Sequence, residues 1–339
     1  MASTVSPTLA NILAQQKLGI VVHSYASRWR PKEQSTKYPG FMDAAALLEH
    51  SASIGAGGIQ VVVDGWSEDF SKQIRAQREK LGMYIEGSIG LPKTSDEVGQ
   101  FEKNILAAKE AGATVVRTVC LNGRRYEAFK TAEEFKTFTT ASVKSLQLAE
   151  PVVRKHQVKL AVENHKDWRS TELAAIMKVI NSEWVGVTLD FGNSLALLEE
   201  PMDVVTHLLP YLFSTHVKDM GLEEHKDGFL MSEVPLGTGI IDLKKVFDLC
   251  RVKNPTVTFN LEMITRDPLE IPCLRSDYWA TFSEIRGSAL ASTIRLVREK
   301  KSSQPLPRVS QLSLDERLEA EEKNITQSIS YSDQKLQPQ

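Results

Sequence analysis

Cysteine is scarce in this chain of 339 residues: Cys120, Cys250 and Cys273 lie far apart and form no CxxC pair. An odd, sparse set fits a reducing compartment better than a disulfide framework, so a cytoplasmic protein is expected. Long apolar runs are missing too. No stretch of about 18 apolar residues occurs, which argues against a membrane-spanning helix. The opening segment, MASTVSPTLANILAQQKLG, lacks the basic start and continuous apolar run of a signal peptide. Nor does charge of one sign dominate. Lys and Arg number 41 against 43 Asp and Glu, a net charge of −2 that leaves no footprint for nucleic acid.

What the chain does contain is alternation. Short β-branched runs at 17–24, 58–64, 83–89, 114–120, 158–164, 185–191, 212–218 and 256–263 read as strands. Segments of helical periodicity lie between them at 42–54, 68–82, 95–112, 131–157, 169–181, 202–210 and 242–253, with the last at 286–301. Ser95 and Thr131, with the acids that follow them, and Asp242, which opens DLKKVF, mark helix starts; Gly82, Gly112 and Asn254-Pro255 mark stops. Eight strands and eight helices in strict alternation predict a closed (β/α)₈ barrel over 17–301. A doubly wound open sheet is the competitor, but its nucleotide-binding form would show GxGxxG after the first strand, where this chain has VVHSYASRW. Residues 1–16 read as an N-terminal extension, and 302–339 as a linker followed by an amphipathic helical tail at 313–335. Two long stretches, after the seventh and eighth strands, read as loops covering the C-terminal face.

Four strands place one metal-type ligand at or near the C-terminal end: Glu163 in KLAVENH, Asp190 in VGVTLDFGN, His216 in LFSTHVKD and Glu262 in TVTFNLEM. A single strand-end carboxylate is more often solvated or salt-bridged. Four charges gathered at the edge of a core need a common partner, and a divalent cation is the simplest one. Three carboxylates and one imidazole suit Mn²⁺ first, with Mg²⁺, Co²⁺ or Zn²⁺ as alternatives.

In order and spacing, VENH, TLDFGN, HVKD, PLGTGIID and LEM resemble the xylose-isomerase-like TIM barrels of the sugar phosphate isomerase/epimerase group, over most of residues 17–300. The resemblance implies a single (β/α)₈ TIM barrel with extended C-terminal-face loops and a C-terminal helical tail. It also implies that Glu163, Asp190, His216 and Glu262 bind one divalent metal. Glu163 and Glu262 would flank the substrate as acid/base groups. The implied reaction is isomerisation or epimerisation of a ketose or keto-sugar, by proton abstraction next to a carbonyl through a metal-stabilised enediolate.

Five further residues are candidate substrate contacts. His165 lies beside Glu163, Lys218 shares the His216 face, and Arg117 stands on the fourth strand. Trp66 follows the second strand, where an aromatic plane would suit sugar C–H faces. Asn193 stands where ketose epimerases of this group often carry histidine. That departure, with Lys218 and the long loops, keeps a lyase on the same site (dehydratase, keto-glycoside eliminase or keto-acid decarboxylase) as the second reading. A non-catalytic sugar-binding protein is the third. Without a Gly-rich nest or clustered arginines, the expected substrate is a non-phosphorylated small carbohydrate. The tail helix suits a homodimer or homotetramer.

Overall fold

The alternation closes on itself. The computed structural model describes residues 17–282 and 287–337. The strands are β1 (Gly19–Val21), β2 (Gly58–Val62), β3 (Tyr84–Ser88), β4 (Val115–Thr118), β5 (Lys159–Glu163), β6 (Val185–Asp190), β7 (Leu212–Val217), β8 (Asp219–His225), β9 (Gly228–Val234), β10 (Thr258–Leu261) and β11 (Leu269–Ile271). Eight of them form a closed barrel in the order β1-β10-β7-β6-β5-β4-β3-β2. It is sealed where Gly19 pairs with Asn260 and Ile20 with Leu261, in parallel. The N-terminal extension expected over 1–16 lies outside the described residues.

Each barrel strand leads to a helix: α1 (Ala44–Ser53), α2 (Glu68–Leu81), α3 (Val98–Glu110), α4 (Ala132–His156), α5 (Ser170–Ile180), α6 (Pro201–Leu208), α7 (Leu243–Lys253) and α8 (Gly287–Lys300). Local chemistry sets many of the ends. Thr131 and Glu134 cap α4 reciprocally, and the Asp242 side chain accepts the Lys245 N–H at the start of α7. Ser95 is a departure. Residues Ser95–Glu97 form a 3₁₀ turn before α3, and the Glu97 carboxylate accepts the Lys93 N–H.

The two stretches expected as loops are more ordered than their composition suggested. β8 and β9 form an antiparallel hairpin, and β11 adds to β9, giving a second sheet in the order β11-β9-β8. Gly221, Glu223 and Glu224 hid the first strand; in the second, Phe229 and Met231 are fully buried. Cross-strand pairing, a non-local interaction, stabilises what local propensity does not.

Inside the barrel, Tyr84 occupies the space left by Gly58, where an added Cβ would meet the ring at 2.4 Å. Its hydroxyl donates to the Phe259 carbonyl and Asn260 Oδ1, each at 3.1 Å. Above it lies a buried polar layer. Glu86 accepts from Gln60 Nε2 (2.9 Å), Ser214 Oγ (2.7 Å), Asn260 Nδ2 (3.1 Å) and the Thr258 hydroxyl. Four donors satisfy a carboxylate that burial would otherwise make costly.

The tail forms helix α9 (Leu314–Lys335), opened by a Ser313–Glu316 capping box. It grips loops at the C-terminal end of the barrel. The Ser27 N–H donates to Glu321 (2.9 Å), Arg28 to Glu322 (2.5 Å), Asn324 to Thr265 (3.0 Å) and the Leu236 N–H to Ser328 (3.2 Å). Among the described residues no helix is long and apolar enough to cross a membrane.

Candidate metal centre

Strand register decides which side chains meet. Asp190 on β6 pairs directly with His216 on β7. Glu163 at the end of β5 pairs with Thr188, two residues before Asp190, and so shares its inward face. On the other flank Leu261 of β10 pairs with Val217, which carries Glu262 to the level of Lys218. Barrel stagger thus steps the four candidates around the mouth. One ligand atom from each of Glu163, Asp190, His216 and Glu262 lies within 4.8 Å of the others, and all four residues are buried.

The imidazole is aimed from below. His216 Nε2 lies 2.7 Å from Gln60 Oε1, and Gln60 Nε2 donates to Glu86 at 2.9 Å. This chain fixes the amide, so Nε2 carries the proton and Nδ1 faces the carboxylates. His216 Nδ1 stands 3.4 Å from Glu163 Oε2, 3.4 Å from Glu262 Oε2 and 3.9 Å from Asp190 Oδ2, with no hydrogen-bond partner among the described residues. Asp190 Oδ2 is likewise unsatisfied. The Lys218 ammonium is 3.0 Å away but outside hydrogen-bonding angles. The other oxygen of Asp190 accepts from the N–H groups of Gly192 (2.9 Å) and Asn193 (2.7 Å). Asn164 locks the Asp190 backbone, accepting its N–H at 2.7 Å and donating to its carbonyl at 2.9 Å.

Two orphaned polar atoms converging among three carboxylates is the arrangement a divalent cation satisfies, and the donor set fits one. Electrostatics agree. Burial disfavours the imidazolium, but Glu163 and Glu262 outweigh it and push His216 up to about 9. A cation that replaced this proton would relieve the same carboxylates.

Burial works against Glu163 and Glu262 as anions, yet both lie well below the usual carboxylate range. Arg117 and then His216 hold Glu163 there. Lys218 and then His216 hold Glu262. Arg117 reaches Glu163 Oε2 through Nε at 2.7 Å and also through Nη2. Lys218 Nζ lies 2.6 Å from Glu262 Oε2.

Of the expected substrate contacts, four are in this region. Asn193 Nδ2 donates to Glu163 Oε1 at 2.9 Å, and its Oδ1 accepts from Lys218 at 3.2 Å. Arg117, Lys218 and His165 line a cavity of about 360 Å³ above the cluster. His165 meets the Gly123 carbonyl at 3.1 Å, and burial with the adjacent Lys166 lowers it to about 3, leaving a neutral ring. Trp66 is elsewhere, packed edge-on against Phe70, and lines neither mouth cavity.

Sequence reasoning passed over Gln60, Asn164, Lys166 and Glu233. Gln60 on β2 is separated from His216 on β7 by β1 and β10, and no local pattern connects them. Glu233 comes from the hairpin read as loop: fully buried, it accepts Arg266 Nη2 at 2.6 Å and lies 3.7 Å from Lys218. Lys166 was legible in VENHKD, three residues beyond Glu163. Asp219 of HVKD is structural. It accepts the N–H groups of Met220, Gly237, Gly239 and Ile241, and a Cβ at Gly239 would meet its carboxylate at 2.3 Å.

The family model for xylose isomerase-like TIM barrels matches residues 48–280. The chain belongs to that family. It is 25% identical over 275 residues to the 3-oxo-isoapionate decarboxylase of Pectobacterium atrosepticum, a match covering 78% of this chain and 94% of that protein. Among solved structures, a xylose isomerase-like TIM barrel protein from Mycobacterium smegmatis in complex with magnesium has a TM-score of 0.56 at 16% identity, covering 82% of this chain and 97% of that one. A D-psicose 3-epimerase, solved in the presence of D-fructose, also has a TM-score of 0.56 at 16% identity, covering 84% and 97%. At that identity the two structures share the fold alone.

Proposed function

We propose that this protein is a metal-dependent enzyme acting beside the carbonyl of a small carbohydrate, and that it breaks a bond there as a lyase. The observation that carries the choice is the state of the two flanking carboxylates. An epimerase would need Glu163 and Glu262 to take a proton from one face and return it on the other. Arg117 and Lys218 hold both as strongly stabilised anions. A base whose pKa is far below the working pH transfers protons poorly.

A lyase that loses carbon dioxide asks for no such base. A divalent cation held by Glu163, Asp190, His216 and Glu262 would polarise the carbonyl oxygen and accept the charge its neighbouring carbon sheds. Mn²⁺ is the expected ion. Arg117 and Lys218 keep their carboxylates ionised as ligands, Gln60 presents the imidazole in the ligating tautomer, and Asn193 ties Glu163 to the loop after β6. The likeness to a decarboxylase over nearly its whole length supports the same direction.

Epimerisation is the second reading, favoured by one observation. Glu163 and Glu262 reach the cluster from strands separated by β6 and β7, each 3.4 Å from His216 Nδ1. The deciding experiment is NMR of Mn²⁺-loaded protein in D₂O with ketoses, 3-keto-glycosides and 3-keto sugar acids. Loss of carbon dioxide is the expected result; loss of water or an alcohol, which begins with proton abstraction, would keep a lyase but return one of the carboxylates to the role of base. Deuterium entering beside the carbonyl with the carbon skeleton intact would replace the lyase by an epimerase.

A further inference from the structure

Lys166 stands apart from the other cations around the mouth. Arg117 pairs with Glu163, Arg124 with Glu127, Arg266 with Glu233, and Lys218 with Asp190 and Glu262. Lys166 lines the same cavity and is only 3% exposed. Among the described residues its ammonium makes a single hydrogen bond, to a neutral group, Asn193 Oδ1. Among the described residues, no carboxylate is close enough to pair with it. Its backbone is pinned: the Lys166 carbonyl accepts the Arg125 N–H at 2.8 Å, within a bridge between Arg124 and Lys166. A buried ammonium without a counter-anion is costly, and the cost falls when an anion enters the cavity beside it.

The wider charge balance points the same way. With His216 neutral as a ligand, Glu163, Asp190, Glu233 and Glu262 face Arg117, Lys166, Lys218 and Arg266, four charges of each sign. A divalent cation would leave this group positive, and an anionic substrate would reduce that excess.

We propose that Lys166 receives the carboxylate of the substrate, which makes that substrate a sugar-derived keto acid. The assignment rests on the lyase reading and deepens it, because with an acid the cleavage becomes a decarboxylation. The bond between the carboxylate carbon and the carbon beside the ketone breaks, and its electron pair passes into the ketone to leave an enolate. Carbon dioxide departs, and a proton from water restores the ketone. Consistent with an unpaired ammonium, burial and the nearby Lys218 lower Lys166 to about 8. A lone ammonium without a nest of backbone N–H groups suits a carboxylate better than a phosphate.

The test is calorimetric binding to Mn²⁺-loaded protein, with erythronate compared with erythritol, its uncharged counterpart. Erythronate is expected to bind about 10–100-fold more tightly, as for a hydrogen bond to a charged group. Lys166→Met should erase that preference while leaving Mn²⁺ affinity, read by EPR, unchanged; Lys166→Arg should retain part of it. A preference that survives Lys166→Met would place the carboxylate elsewhere and overturn the assignment. Equal binding of the two probes by the unaltered protein would overturn it as well, as would a preference for erythritol phosphate over erythronate. Because these readouts measure binding, they stand apart from the turnover experiment that decides between lyase and epimerase.

Discussion

His216 Nδ1 and Asp190 Oδ2 face each other 3.9 Å apart, both buried and both without a hydrogen-bond partner among the described residues. They come from directly paired positions on β6 and β7, so the gap is built by the register of the barrel. Orphaned buried atoms are rare in folded proteins, and here each is aimed at the same point.

Filling that point should stabilise the fold. Mn²⁺ at a hundredfold its Kd is expected to add about 2.7 kcal/mol, raising Tm, and EDTA should reverse the gain. Differential scanning calorimetry of the unaltered protein and of His216→Ala checks this. A Tm rise of equal size in the variant would place the ion elsewhere.

Gln60 does not line the cavity above the cluster, yet it sets the His216 tautomer. Gln60→Leu should weaken Mn²⁺ binding by roughly 10–100-fold, as loss of an outer-shell partner does elsewhere. EPR titration reads that affinity directly. Unchanged binding would show that Nδ1 is oriented without Gln60.

Glu262 meets Lys218, His216 and His23 at once. Glu262→Gln removes an anionic metal ligand and should lower turnover by at least the roughly 10–100-fold that losing an outer-shell partner costs, while circular dichroism shows an intact fold. Near-normal turnover would remove Glu262 from the chemistry.

The docked tail carries its own pH signature. Glu321 on α9 is fully buried, and one of its oxygens lacks a partner. Burial raises it to about 7, against relief from the Ser27 N–H and Arg28, with Glu322 adding to the rise. A carboxyl raised on folding stabilises the fold below its ordinary range. That stability declines as pH rises from about 4.5 and is lost by about pH 7. The decline should be on the order of 3 kcal/mol, and Glu321→Gln should flatten it. Chemical denaturation at pH 5 and pH 8 makes the comparison; an equal slope in the variant would assign the effect to another group.

Much of this was legible before the fold was known. The tail helix read at 313–335 is Leu314–Lys335, and the strand read at 158–164 is Lys159–Glu163. Such elements are set by local periodicity and by caps a few residues away. The β8–β9 hairpin escaped because Gly221 and its acidic neighbours mask an alternation that matters only once a partner strand is present. Lys166 was visible as a residue, but its want of a counter-ion depends on where every nearby carboxylate finally points.

By itself the sequence determined the alternation, the barrel it closes into, and the four ligand-type residues at strand ends, because these follow from side-chain period and residue chemistry. Only the tertiary structure decided that those four converge, that Gln60 and Glu86 orient the imidazole, and that Arg117 and Lys218 hold the carboxylates as anions. Register and stagger bring together atoms from strands far apart in the chain. Burial then makes each charge depend on its neighbours, which no local pattern records.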